Sequence, residues 1–230
     1  MDDTCSAALH EAELSFFGAV TASLSHQINN VLTIISELNG LSEDLLAMTA
    51  AGDLPVERLR ATTARISGNL ERCVEYLQVL NRFSHSADQE SATCNLGELV
   101  CLLRSVTSRF FELRKVNLEL NLPEREVVVV TRPFAVLHVL YRALRSALAA
   151  SGEGETVRLA LEAAPEHVDI RVSPMPSERE IPAGEADLAS LAPLCRCLGA
   201  QAAFVSVAGV STLRIVLPPG PSPSAVLETR

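Results

Sequence analysis

Two long stripes of apolar residues, separated by a short break, constrain the fold of this 230-residue chain more than any other feature. The first stripe lies in residues 12–49, where its members recur at steps of 3, 4 or 7: Phe17, Val20, Leu24, Ile28, Val31, Ile35, Leu38 and Leu45. The second lies in residues 55–85: Leu59, Thr62, Ile66, Leu70, Cys73, Leu77 and Leu80. Steps near 3.5 residues are typical of helices that pack along a seam. Because residues 51–55 (AGDLP) break the pattern, the sequence predicts an antiparallel helical hairpin.

A hairpin of this kind buries only one side of each helix. Two copies of the hairpin would bury the remaining apolar side chains by packing against each other as a four-helix bundle. The sequence therefore predicts a homodimer held together by its amino-terminal part.

After residue 85 the pattern changes to shorter helices and alternating strands. Helices are predicted at 96–115, 133–151 and 187–198, and strands at 117–122, 126–130, 156–163, 168–172, 202–207 and 212–217. We therefore predict an α+β protein in which a mixed sheet is covered by helices as an α/β sandwich. Its expected parts are the hairpin (1–85), a linker (86–95), the sandwich (96–218) and a flexible tail (219–230).

Charge and composition exclude several classes of protein. A formal net charge of −9 argues against a general nucleic-acid binder. No apolar run reaches the roughly 18 residues of a membrane span, and the first residues lack the apolar region of a signal peptide, so we expect a cytoplasmic protein without a membrane partner. The six cysteines are expected to be free thiols, and the one-residue gap between Cys195 and Cys197 is not a metal-binding spacing.

The histidine at position 26 is the strongest candidate for chemistry. At roughly 100° per helical residue, His26 lies about 160–200° from Leu24 and Ile28, so it points away from the seam. Asn30, four residues later, lies within about 40° of His26 on the same face. A neutral imidazole that faces solvent is a nucleophile able to attack phosphorus. The alternative interpretation is a solvated surface histidine with no role.

The segment His26-Gln27-Ile28-Asn29-Asn30-Val31-Leu32 resembles the phosphoacceptor box of sensor histidine kinases, whose usual form is His-Glu-x-x-Asn-Pro-Leu. The hairpin is similar to the dimerisation and phosphotransfer domain of that family, and the following part to its ATP-binding domain, together over about residues 12–218. The resemblance implies that His26 accepts a phosphoryl group. It implies that Asn30 contacts the phosphoryl oxygens or orients a hydrolytic water, and that Gln27 helps to fix the imidazole tautomer through its carbonyl.

The same resemblance makes the departures informative. Ser146 stands where the family has its Mg²⁺-binding asparagine, and Arg142 and Arg145 precede it. Pro174 stands in place of the aspartate that reads adenine, Pro176 in place of the following glycine, and the Gly-x-Gly loop is missing. We therefore expect no ATP binding in the family manner and no cofactor of the chain's own, with Mg²⁺ supplied by a partner receiver domain.

These expectations combine into one functional hypothesis. The chain is expected to be a histidine phosphotransferase of a two-component phosphorelay, in which His26 carries a phosphoryl group between receiver-domain aspartates without autophosphorylation. The expected partners are response-regulator receivers, a second copy of the chain and a separate histidine kinase. Two alternatives stay open: a pseudokinase module that binds a receiver or a kinase without transfer, and an active kinase core with an atypical ATP site.

Overall fold

The computed structural model describes residues 3–48, 56–175, 185–207 and 210–218. Its helices are α1 (Asp3–Met48), α2 (Val56–Ala87), α3 (Leu96–Arg114), α4 (Pro133–Ala150) and α5 (Glu185–Cys197). Its strands are β1 (Ala92–Asn95), β2 (Asn117–Asn121), β3 (Val128–Thr131), β4 (Thr156–Ala164), β5 (His167–Met175), β6 (Gln201–Val207) and β7 (Val210–Leu217). The predicted helix break at 51–55 and the predicted tail at 219–230 lie outside the described residues.

The chain divides into two compact units. Gly18–Arg82 forms the hairpin unit, and Met1–Phe17 together with Phe83–Arg230 forms the sandwich unit. The stretch expected to be a linker contains strand β1, which pairs antiparallel with β3. Asn95 then starts α3, because its side-chain oxygen accepts a hydrogen bond from the Gly97 amide at 2.9 Å.

The sandwich unit contains a five-stranded sheet in the order β2-β4-β5-β7-β6, in which β2 and β4 are parallel and the other pairs antiparallel. Alternate residues of the three central strands are buried: Val157, Leu159, Leu161, Val168, Ile170, Val172, Leu213, Ile215 and Leu217. Helix α4 contributes the largest share of buried helical side chains to this core. The sandwich confirms the predicted fold class, because period-2 alternation is what a sheet covered on one face requires.

The other face of the sheet carries a buried carboxylate between two arginines. Arg171 on β5 stands directly opposite Arg214 on β7, and like charges in that position destabilise a sheet. Oδ2 of Asp169 accepts a hydrogen bond from Nε of Arg214 at 2.7 Å and lies 3.5 Å from Nη2 of Arg171. Burial by itself raises the pKa of Asp169, but the bond from Arg214 and the charge of Arg171 outweigh it and hold that pKa below its ordinary value. The negative charge of Asp169 thus offsets the repulsion between Arg171 and Arg214 where β5 pairs with β7.

A cluster of aromatic rings fixes the start of α1 and the end of α2 within the sandwich unit. The ring of Phe16 lies 4.7 Å from Tyr141, 4.8 Å from His138, 5.2 Å from Phe134 and 5.4 Å from Phe83 between centroids. Phe16 and Phe83 are almost completely buried. Phe16 of α1 therefore belongs to the core of the sandwich unit.

His138 is a neutral base buried inside this cluster, and it makes folding depend on pH. Burial and the nearby charge of Arg142 lower the pKa of His138 from 6.5 to about 4. The unfolded chain takes up a proton near pH 6.5, whereas the folded chain resists protonation down to about pH 4. The contribution of neutral His138 is complete above pH 6.5 and is lost as the pH falls toward 4, which costs on the order of 3 kcal/mol of unfolding free energy.

Urea unfolding of the wild type and of His138→Phe at neutral and acidic pH measures this effect. The phenylalanine ring keeps the stacking on Phe16 but takes up no proton, so the variant is expected to lose less stability on acidification. Equal losses in the two proteins would contradict the assignment.

The described part of the chain carries neither a metal-binding cluster nor a helix that is long and apolar enough to cross a membrane. Five cysteines are free thiols: Cys73, Cys94, Cys101, Cys195 and Cys197. Burial raises the pKa of Cys195 to about 11, so its thiol stays protonated and unreactive at neutral pH.

Candidate functional site

His26 lies on the exposed side of α1 in the hairpin unit. The helix is oriented by its buried stripe, whose members are Val20, Leu24, Gln27, Val31, Leu38 and Leu45. Leu24 and Val31, which flank the histidine in sequence, are almost fully buried. The imidazole projects from the opposite side of the helix and is exposed.

Asn30 is the residue that contacts the imidazole. Its Nδ2 lies 3.2 Å from Nδ1 of His26, one helical turn away, and both side chains are exposed. With the amide nitrogen toward the ring, Nδ1 accepts a hydrogen bond, and the neutral ring carries its proton on Nε2. With the amide oxygen toward the ring, Nδ1–H donates to it, and the Nε2 lone pair is free to attack. The last torsion of asparagine is broad, so both orientations are accessible to an exposed side chain.

Gln27 does not share the face of His26. It is only 7% exposed in the buried stripe of α1, and its Nε2 is buried without a hydrogen-bond partner. The sequence analysis placed Ile28, and not Gln27, in the apolar stripe of this helix. In the structure Ile28 is half-buried. The spacing Val20, Leu24, Gln27, Val31 follows steps of 4, 3 and 4, and that regularity was the signal for a buried glutamine.

The surface around His26 is made of small or polar side chains. Ala22 and Ala19, one and two turns before the histidine, are exposed. Thr33 is exposed as well, and its hydroxyl donates to the carbonyl of Asn29 at 2.9 Å, so it is tied back to the helix. The side chains of Ala19 and Ala22 are small, and the imidazole of His26 beside them is exposed.

The positions at which the resemblance places Mg²⁺ and nucleotide form a cationic surface on α4. Ser146 is half-buried, with Arg142 and Arg145 one turn or less before it. The guanidinium of Arg145 lies 5.9 Å from the ring centroid of Phe110 and 5.8 Å from that of Tyr141. Two guanidinium groups repel a divalent cation, and a serine hydroxyl is a weaker Mg²⁺ ligand than an amide or carboxylate oxygen. Among Arg142, Arg145 and Ser146, the serine alone offers an oxygen atom to a cation.

The expected adenine-reading position offers no carboxylate either. Pro174 lies in β5, buried opposite Val157 of β4. Its ring has neither a donor for a base nitrogen nor an acceptor for an exocyclic amino group. Pro176 lies outside the described residues.

The sandwich unit has a fold of the histidine kinase catalytic-domain type. One similar solved structure is the catalytic domain of the histidine kinase ThkA. The match covers 58% of this chain and 100% of the ThkA chain, with a TM-score of 0.50 and 16% sequence identity. The ATP-binding domain of PrrB from Mycobacterium tuberculosis also covers 58% of this chain and 100% of its own, with a TM-score of 0.48 and 17% identity. At this identity the likeness to ThkA shows the fold, and it confirms the histidine kinase ATPase type of sandwich that the sequence resemblance implied. No protein-family model matches the chain, and no curated protein matches it either.

Proposed function

We propose that this chain is a two-component signalling protein and that it works as a dimeric histidine phosphotransferase. His26 carries a phosphoryl group between aspartates of receiver domains, and the phosphoryl group originates on another protein instead of on ATP bound by this chain. The observation that supports this most directly is the pairing of an exposed imidazole with Asn30 on α1, in a chain whose α4 carries arginines at the expected metal position.

In the proposed reaction the Nε2 lone pair of His26 attacks the phosphorus of an aspartyl phosphate. The N–P bond forms while the O–P bond to the aspartate breaks, and the carboxylate leaves with the bonding electron pair. Asn30, turned with its oxygen toward the ring, accepts Nδ1–H and stabilises the positive charge that develops on the imidazole. The reverse sequence delivers the phosphoryl group to a second aspartate.

In this proposal the partner protein, and not this chain, supplies both the energy for transfer and the metal ion. An acyl phosphate and a phosphoramidate both store the energy of transfer, so catalysis consists mainly of alignment and charge neutralisation. The Mg²⁺ that neutralises the phosphoryl oxygens is expected to arrive with the receiver. Gln27 contributes through the helix packing that holds this turn of α1, since its side chain is buried.

A dimer is the expected working form. In the hairpin unit Leu70, Val74 and Leu77 of α2 form a stripe at steps of 4 and 3, and each is about half exposed. On α1, Ile34 and Leu41 are also exposed, seven residues apart on one face. Apolar side chains in such rows favour burial against another helix pair, and a second copy offers matching rows.

A labelling experiment with two donors tests the proposal. The chain is mixed either with receiver domains that carry ³²P on their aspartate or with [γ-³²P]ATP and Mg²⁺, and the label is followed on gels. We expect label to move from a receiver to the wild-type chain, in a linkage that acid cleaves and alkali preserves, as phosphoramidates do. Labelling from ATP and Mg²⁺ alone would establish an active kinase, and stable receiver binding without any label would establish a pseudokinase; either result overturns the proposal.

A further inference from the structure

A cavity of about 210 Å³ lies in the sandwich unit and is lined by residues of that unit alone. Its walls come from the first turns of α1, the residues around the end of α2, and the start of α4. Nothing in the proposed transfer reaction uses these residues. A ligand of this cavity would therefore have a role separate from phosphoryl transfer.

The floor of the cavity is apolar and partly open to solvent. Leu14 is 59% exposed there. Phe17 and Phe134 line the same space and are half-buried, with ring centroids 6.3 Å apart. An apolar group that entered would cover leucine and phenylalanine surface at once, with a gain proportional to the area removed from water.

The rim of the cavity carries charges of both signs that do not pair with one another. Glu13 from α1, Glu90 from the segment after α2 and Arg132 from the start of α4 all line the space. Within the ranges that the structure describes, none of these three side chains makes a hydrogen bond or an ion pair. Opposite charges that face one opening without contact leave room for a ligand that carries both charges.

We propose that this cavity binds a small zwitterion with an apolar side chain, of the size and chemistry of an aliphatic or aromatic α-amino acid. Arg132 holds the carboxylate, Glu13 and Glu90 hold the ammonium group, and the side chain lies on Leu14, Phe17 and Phe134. At about 30 Å³ per water molecule, the volume corresponds to roughly seven waters, which suits a molecule of about ten non-hydrogen atoms. The site does not depend on the proposed role of His26.

Isothermal titration calorimetry with four probes tests the assignment on the full chain. L-leucine carries both charges and the apolar group, whereas glycine lacks the side chain, 4-methylpentanoate lacks the ammonium group, and 3-methylbutylamine lacks the carboxylate. We expect leucine to bind with a dissociation constant below about 1 mM and each other probe to bind at least about tenfold more weakly. Absence of leucine binding at about 10 mM, or equal affinity for a probe with a single charge, would overturn the proposal.

Matched charge variants place the binding in this cavity. Arg132→Gln and Glu90→Gln are expected to weaken leucine binding at least about tenfold, because each removes one charge-assisted contact. Arg125→Gln and Glu124→Gln, exposed between β2 and β3, are expected to leave the affinity unchanged. All four positions are exposed, so circular dichroism should show a folded chain in each case. Binding that survives both Arg132→Gln and Glu90→Gln would remove the site from this cavity.

Discussion

Substitution of His26 by alanine is expected to abolish phosphoryl uptake from a phosphorylated receiver completely. The variant loses the only nucleophile that the proposal assigns, and alanine at an exposed helical position leaves the fold of α1 intact. His10→Ala is the matched control, since His10 is also an exposed histidine on α1, and it should retain wild-type transfer. Equal labelling of the wild type and His26→Ala would show that the phosphoryl group goes elsewhere.

Two substitutions of Asn30 are expected to affect the transfer rate differently, according to which role its amide plays. Asn30→Ala removes the hydrogen bond to Nδ1, which is expected to slow transfer by roughly 10–100-fold, the equivalent of one hydrogen bond to a group that becomes charged. Asn30→Asp keeps an acceptor for Nδ1–H but has no N–H to donate to phosphoryl oxygens.

Single-turnover rates for the two Asn30 variants decide between these roles. If Asn30 fixes the tautomer of His26, the aspartate variant should transfer within about threefold of the wild type while the alanine variant is slow. Loss of transfer in both variants would assign Asn30 to the phosphoryl oxygens instead. Wild-type rates in both would exclude it from the reaction.

The parts of this structure that follow from local sequence were predictable. The 100° turn per residue places Asn30 on the face of His26, and the contact between Nδ2 and Nδ1 at 3.2 Å follows from that geometry. The alternation of Val168, Ile170 and Val172 likewise predicts β5, because each side chain faces the same core. In both cases the determinant lies within a few residues of the feature.

The features that escaped prediction depend on distant residues. Whether Gln27 or Ile28 is buried depends on the rotation of α1 about its axis, and neighbouring residues on a helix differ by only about 100°. Phe16 is buried instead of Phe17 because its ring meets aromatic residues of α4, more than a hundred positions later. Strand β1 in the expected linker exists through its pairing with β3, which its own polar sequence does not reveal.

The double substitution Leu70→Lys and Leu77→Lys is expected to convert a dimer into a folded monomer. The two leucines are 48% and 51% exposed and lie on one face of α2, so charges there leave the inner side of the helix untouched. In a symmetric dimer each substitution occurs twice, and four ammonium groups enter an apolar contact. The cost of desolvating them is expected to raise the dissociation constant at least about a thousandfold.

Sedimentation velocity at micromolar concentration measures the effect, and circular dichroism checks that the helices persist. Leu113→Lys is the matched control: it replaces a leucine that is 65% exposed on α3 of the sandwich unit, and it should leave the dimer intact. A wild type that sediments as a monomer would contradict the dimer directly. A dimer that tolerates both lysines would place the contact on another face.

The double variant Leu70→Lys and Leu77→Lys also tests whether phosphoryl transfer requires the dimer. If the second copy serves only to cover the α2 stripe, the folded monomer should still take up label on His26, because the imidazole and Asn30 belong to one helix of one chain. If a receiver must contact both copies at once, transfer should fall together with the dimer while the phosphoacceptor pair stays unchanged. Transfer rates measured across a dilution series of the wild type, beside the double variant, distinguish the two, since only the second case makes the rate per chain fall as the wild-type dimer dissociates.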